Sequence, residues 1–233
     1  MSYYGGVFLH HFRQWARAAC DSWSYSEPRD DFFDRVQDRL TDSIAEWIGY
    51  GIQAGLLIED GVHFNLCENA PEKGPYKWFS KRADAREPQC NWEYYVQVAH
   101  FVRLWSACKR TGSRLTFEDE LMDLSVRRSG QLLWCIEVKE QKYQGEKLVA
   151  NLISLGATGI DVSAPDRGND PLRKAKYLVK HTPEFFSVVA IDWSRDFQVT
   201  YPLARRFGLS ETQAPITTMH VPPSEQSLRS SSR

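Results

Sequence analysis

Apolar residues recur at helical spacing in several stretches of the chain. Val7, Phe8, Phe12, Trp15, Ala16 and Ala19 predict a helix over 7–23, from which His10 and His11 point in different directions. Pro28 marks a turn. Asp30 and Asp31 are suited to cap a second helix, which carries Phe32, Phe33, Val36, Leu40, Ile44, Trp47 and Ile48. Its other side, Asp34, Asp38, Asp42 and Glu46, reads as a solvated acidic face. Tyr95, Val98, Ala99, Val102, Leu104 and Trp105 predict the clearest helix, 92–110, ended by Thr111-Gly112. Residues 146–155 (EKLVANLISL) predict another, after a turn over 141–145, and 172–181 a basic one.

The strand signals differ in kind. Asp60-Gly61 between two apolar runs predicts a hairpin. RLTFE, 114–118, predicts a short strand. Met122–Arg127 and Leu132–Glu140 predict a second hairpin, turning at Arg128-Ser129-Gly130-Gln131. Further strands are expected over 158–162, 185–193 and 197–203, the last two joined by a Ser-Arg-Asp turn. Residues 68–89 read as a loop. Lys73, Lys77, Lys81 and Arg82 are interleaved there with Tyr76, Trp78 and Phe79, a composition that can grip a nucleic-acid backbone and stack bases, and that a partly buried loop shares. Beyond Leu209 the Ser-, Thr- and Pro-rich residues predict a flexible tail.

Composition narrows this picture. A chain of 233 residues, 42% hydrophobic and 13% aromatic, can build a packed core. The net charge of −1 supplies no global field for nucleic acid, so such binding has to be local or metal-assisted. Five scattered cysteines, Cys20, Cys67, Cys90, Cys108 and Cys135, form no zinc or iron–sulfur spacing and suit reduced thiols in the cytoplasm. No basic region precedes an apolar core at the N-terminus and no apolar run is long enough to span a bilayer, so neither a signal peptide nor a membrane span is expected.

The second hairpin carries the chemistry. Strand side chains alternate faces, so Leu132, Trp134, Ile136 and Val138 are expected on one side, and Leu133, Cys135, Glu137 and Lys139 on the other. In an antiparallel hairpin Asp123 lies near Glu137. Two carboxylates make a hard oxygen site for Mg²⁺ or Mn²⁺, and a neighbouring lysine can hold a water or stabilise charge growing on a phosphate. Asp119 and Glu120 are alternatives for the first acid. Gln144 and Lys147, at the start of the following helix, and Arg173, Lys174 and Lys176, on the basic helix, are candidate phosphate contacts.

Asp123-x13-Glu137-x-Lys139 on a strand pair, preceded by a helix with Glu93 near its start, resembles the PD-(D/E)XK nuclease superfamily, over about residues 91–201. No proline precedes Asp123, a departure from the family pattern. The resemblance implies an α/β fold with a restriction-endonuclease-like core, a mixed central sheet flanked by helices. Residues 90–209 would form that core, 1–89 a mainly helical accessory region with a β-hairpin, and 210–233 the tail. It further implies a Mg²⁺- or Mn²⁺-dependent enzyme cutting phosphodiester bonds, with Asp123 and Glu137 on the metal, Lys139 at the reacting phosphate and Glu93 completing the shell through water. DNA is favoured over RNA and endonuclease over exonuclease action, although an RNA-cutting toxin shares the chemistry. Partners implied are an NTPase or helicase in trans, as in antiviral defence, or a second copy of the chain. The competing expectation is an inactive nuclease-like fold acting as a binding subunit.

Overall fold

The computed structural model describes residues 2–68, 73–82 and 86–213. The chain divides into two compact units, one running to Arg103 and the other beginning at Leu104. The division falls inside a helix.

The first unit opens with α1 (Tyr3–Trp23), whose apolar stripe Phe8, Phe12, Trp15, Ala16 and Ala19 is buried. The single helix expected next is two, α2 (Asp30–Arg39) and α3 (Asp42–Gln53). The break has a local cause: Thr41 leaves the helical conformation and its side chain accepts from the Ile44 N–H at 3.2 Å, capping α3. Asp30 and Asp31 lie in the first turn of α2 and not at its cap, which is Arg29. Gly49 on α3 lets two backbones meet, since a Cβ there would stand 2.0 Å from the Tyr4 carbonyl oxygen.

The Asp60-Gly61 hairpin forms as expected from β1 (Leu57–Asp60) and β2 (His63–Leu66), and β3 (Tyr76–Lys77) joins it. β4 (Phe79–Ser80) pairs with β5 (Gln89–Cys90). The aromatics of this stretch are core residues. Trp78 is fully buried and stacks on Trp15 at 4.6 Å and on Phe64 at 4.0 Å between ring centres, so it presents no face to a base. Tyr76 and Phe79 are buried as well.

Helix α4 (Trp92–Arg110) begins in the first unit. Its His100 has a buried Nδ1 with no hydrogen-bond partner among the described residues. Burial, with a lesser contribution from the Arg103 charge, pushes the His100 pKa down to about 3. A folded-state pKa below the unfolded value gives stability that is present above pH 6.5 and lost as pH falls from 6.5 toward 3. This one histidine should therefore remove roughly 3–5 kcal/mol by pH 3. An acid titration followed by tryptophan fluorescence checks it: His100→Leu should unfold at a lower pH than the wild type, and an unshifted midpoint contradicts the account.

Among its described residues the second unit holds a six-stranded mixed sheet, two whole helices and the end of α4. Its elements are β6 (Arg114–Asp119), β7 (Met122–Arg128), β8 (Gln131–Val138), α5 (Lys142–Thr158), α6 (Asp170–His181), β9 (Phe185–Ala190), β10 (Trp193–Thr200) and β11 (Gly208–Glu211). The order across the sheet is β11-β10-β9-β8-β7-β6. Every pairing is antiparallel except β8 on β9, which is parallel and needs the long crossover that α5 and α6 supply. Ser129 and Gly130, both at positive φ, make the tight β7–β8 turn.

The structure departs from four expectations in this unit. Residues 158–162 form no strand: Thr158 ends α5, Gly159 follows at φ 95°, and Asp161 turns the chain by accepting from the Ser163 N–H at 2.9 Å. The expected turn at 141–145 is instead the capped start of α5, where Gln141 and Gln144 form a reciprocal capping box. The turn between the last predicted strands lies at Ile191–Asp192, with Asp192 at φ 59°, so Trp193 to Asp196 belong to β10. The expected tail gives its first residues to β11; residues 214–233 lie outside the described part.

Strand β8 is buried from Trp134 onward on both faces, the condition of a central strand. Its alternation is broken once. Val126 pairs with Trp134 but Arg127 pairs with Leu132, so a bulge absorbs Leu133. Leu132 thereby leaves the expected Trp134–Ile136–Val138 face and joins the core around Cys135, Leu148, Leu152, Leu178 and Phe186.

Candidate functional site

Asp123 is the second residue of β7 and Glu137 the last but one of β8. Leu124 stands opposite Ile136, and the antiparallel register carries Asp123 to Glu137. The Asp123 carboxylate accepts from the Val138 N–H at 2.6 Å, so the acid is anchored to the backbone of the partner strand. Glu137 is 1% exposed and has an ammonium on each oxygen. Lys139 Nζ donates to Oε1 at 2.5 Å, and Lys174 Nζ to Oε2 at 2.7 Å. Just past the end of β8, the Lys139 N–H extends the parallel ladder by donating to the Val189 carbonyl at 2.8 Å.

The electrostatics follow from that packing. Burial raises the Asp123 pKa well above the usual carboxylate range, and the Glu137 charge raises it further. Lys139, Lys174 and the Val138 N–H act the other way. Two carboxylates and two ammoniums sum to zero charge when all four are ionised.

The alternatives for the first acid are placed elsewhere. Glu118 at φ 57° turns Asp119 toward Ser125 and Arg127, where its carboxylate accepts from Ser125 Oγ at 2.5 Å and Arg127 Nε at 3.1 Å. Glu120 stands 3.3 Å from His181 Nε2, beside the Tyr177 ring. Glu93 lies in the first turn of α4, within the first unit.

The candidate phosphate contacts separate into two groups. Arg173 and Lys147 are exposed on α6 and α5. Gln144 is half-buried and its Oε1 accepts from the Gln141 N–H at 3.0 Å. Lys176 is turned back onto its own loop, contacting the Ala164 carbonyl and, at 3.1 Å, Asp166. Lys174 is corrected outright as a surface contact: it is 4% exposed and paired with Glu137. Its role beside Glu137 was not read from the sequence, but a signal exists. Lys174 lies one turn before Leu178, on the side of α6 that also buries Ala175 and Tyr177, and a cation there needs an acid inside.

Among the described residues no third Asp, Glu, His or Cys joins Asp123 and Glu137 in a ligand group. The donor set is therefore two carboxylates, each with several lone pairs. That set fits a hard ion that keeps much of its water, as Mg²⁺ does, and does not fit zinc, which seeks nitrogen and sulfur. All five cysteines are free, and no helix among the described residues is long and apolar enough to cross a membrane. No protein-family model, no curated protein and no solved structure matches this chain.

Proposed function

We propose that this chain is a metal-dependent nuclease with a restriction-endonuclease-like second unit, cutting phosphodiester bonds in DNA. The observation that carries the reading is the convergence of Asp123, Glu137 and Lys139 at the end of one hairpin. Their setting supports it: helix, three antiparallel strands, a helical crossover and a strand parallel to the third. A divalent ion bound by Asp123 and Glu137 would supply acidified water and a polarised phosphoryl oxygen. The protein's own contributions are the anchoring of Asp123 by the Val138 N–H and the Lys139 ammonium, which offsets charge developing on the phosphate. Exposed Arg173 and Lys147 would hold the substrate backbone.

A second reading, an inactive nuclease-like fold serving as a binding subunit, is favoured by one observation: Lys174 gives Glu137 a second internal counter-charge. Incubation of the purified chain with circular and linear DNA and with RNA, in Mg²⁺, Mn²⁺ or EDTA, decides between them. Metal-dependent nicking of circular DNA, lost in Asp123→Ala, supports the nuclease. No cleavage under any condition supports the inactive fold.

The raised Asp123 pKa gives a separate expectation. Its protonated form favours folding of the metal-free protein below the ordinary carboxylate pKa, and that contribution fades as pH rises through the raised value. A metal needs the anion, so binding below that value must release a proton and tighten as pH increases. Calorimetric Mn²⁺ titrations in two buffers of different ionisation enthalpy should give different apparent heats. Equal heats would mean that Asp123 is already ionised.

A further inference from the structure

The site holds two lysines for one glutamate. Lys139 and Lys174 bind opposite oxygens of Glu137, and the second is the more deeply buried, with side-chain exposures of 18% and 5%. Lys174 also donates to the Leu121 carbonyl at 3.2 Å. A second carboxylate, Asp170, stands 3.5 Å away on the preceding turn of α6 and is 54% exposed. The lysine ammonium is a compact charge on a flexible stem, so it can pass between these two acids without movement of the helix. A divalent ion arriving at Asp123 and Glu137 meets both ammoniums as like charges at close range, where repulsion in a poorly solvated site is strong.

We propose that Lys174 is a tethered counter-cation: it holds Oε2 of Glu137 and must give it up, moving toward Asp170, before a divalent ion binds at that oxygen. This inference rests on the nuclease reading above. It makes α6 the element that sets metal affinity and keeps the buried acids compensated while no ion is present.

The test is calorimetric titration of the full chain with Mn²⁺, for wild type, Asp123→Ala, Lys174→Met, Lys174→Gln and Lys174→Arg. Loss of the neutralising ammonium should tighten Mn²⁺ binding by at least about tenfold in the Met and Gln variants, while Arg keeps wild-type affinity. Wild-type or weaker affinity in both neutral variants overturns the counter-cation and leaves the nuclease reading intact, provided the wild type still shows a site lost in Asp123→Ala. If no variant shows an Asp123-dependent site, both ideas fall. Amine labelling of the unaltered protein, read by mass spectrometry, keeps the idea testable if the neutral variants do not fold. Saturating Mn²⁺ should raise labelling of Lys174 relative to exposed Lys142. Unchanged labelling of Lys174 with the ion bound overturns the proposal.

Discussion

Lys139→Ala should cut DNA about 10²–10³-fold more slowly than the wild type while melting within a few degrees of it. The size follows from what the ammonium does in the proposed reaction. Removing one preorganised electrostatic donor aimed at developing charge costs roughly 3–4 kcal/mol of transition-state stabilisation. The mild structural effect follows from the geometry. Lys139 is only partly buried, and Glu137 keeps Lys174 on its other oxygen at 2.7 Å when Lys139 is gone. No buried carboxylate is left without a partner, which is the circumstance that makes such truncations destabilising. Metal affinity should not fall, because a protonated lysine donates no lone pair to an ion. Single-turnover cleavage at saturating Mg²⁺, run beside a melting curve, separates these quantities. Cleavage at the wild-type rate would remove Lys139 from the chemistry and, with it, the principal support for the nuclease reading. Substrate binding measured in Ca²⁺ should be nearly unchanged, so the defect should lie in kcat and not in KM.

Much of the fold was legible in the chain because its signals are local. The helices read over 7–23 and 92–110 declare themselves by apolar spacing, and the turns at Gly61 and Gly130 by residues that tolerate positive φ. Errors arose where a local signal was ambiguous or where tertiary structure overrode it. The apolar residues from Phe32 to Ile48 keep helical phase across Thr41, so periodicity could not show the break that the Thr41 cap makes. Trp78, Tyr76 and Phe79 stand beside lysines in the sequence, yet their rings are buried against α1 and β2 residues, a long-range choice that composition does not encode. The bulge at Leu133 changes the face of Leu132 through pairing with another strand, and strict alternation along one strand cannot reveal it.

The site shows the same division. Asp123, Glu137 and Lys139 are brought together by one hairpin, so a period of two and a short turn were enough to place them. Separating Asp123 from Asp119 required the positive φ of Glu118 and the claims of Ser125 and Arg127 on Asp119. Lys174 lies 37 residues beyond Glu137, on another element, and its meeting with Glu137 depends on how α6 packs on the sheet.

Glu137→Met should be strongly destabilising, and adding Lys174→Met to it should restore most of the loss. In metal-free buffer Glu137→Met deprives the Lys174 ammonium, which is 5% exposed, of its closest carboxylate and leaves it the Leu121 carbonyl, the more distant Asp170 and the neighbouring Asp123. Breaking a buried pair from one side typically costs about 3–5 kcal/mol, since an uncompensated charge stays inside. For a unit of this size that is a fall in Tm of about 10–20 °C. Lys174→Met should cost less, because Glu137 retains Lys139 at 2.5 Å. The double variant Glu137→Met with Lys174→Met removes both buried charges and fills their space with apolar atoms of similar length. It should regain most of the loss and melt above Glu137→Met alone, since replacing a buried ion pair by hydrophobic residues is often neutral or stabilising. The coupling energy from this cycle should therefore be several times that of an exposed pair such as Lys142–Glu146 on α5, where both partners are about half exposed or more. Thermal melts of the four proteins in EDTA give the cycle directly. If the double variant is no more stable than Glu137→Met, the cost lies in lost packing and not in a stranded charge, and the pairing of Lys174 with Glu137 contributes no more than a surface contact would.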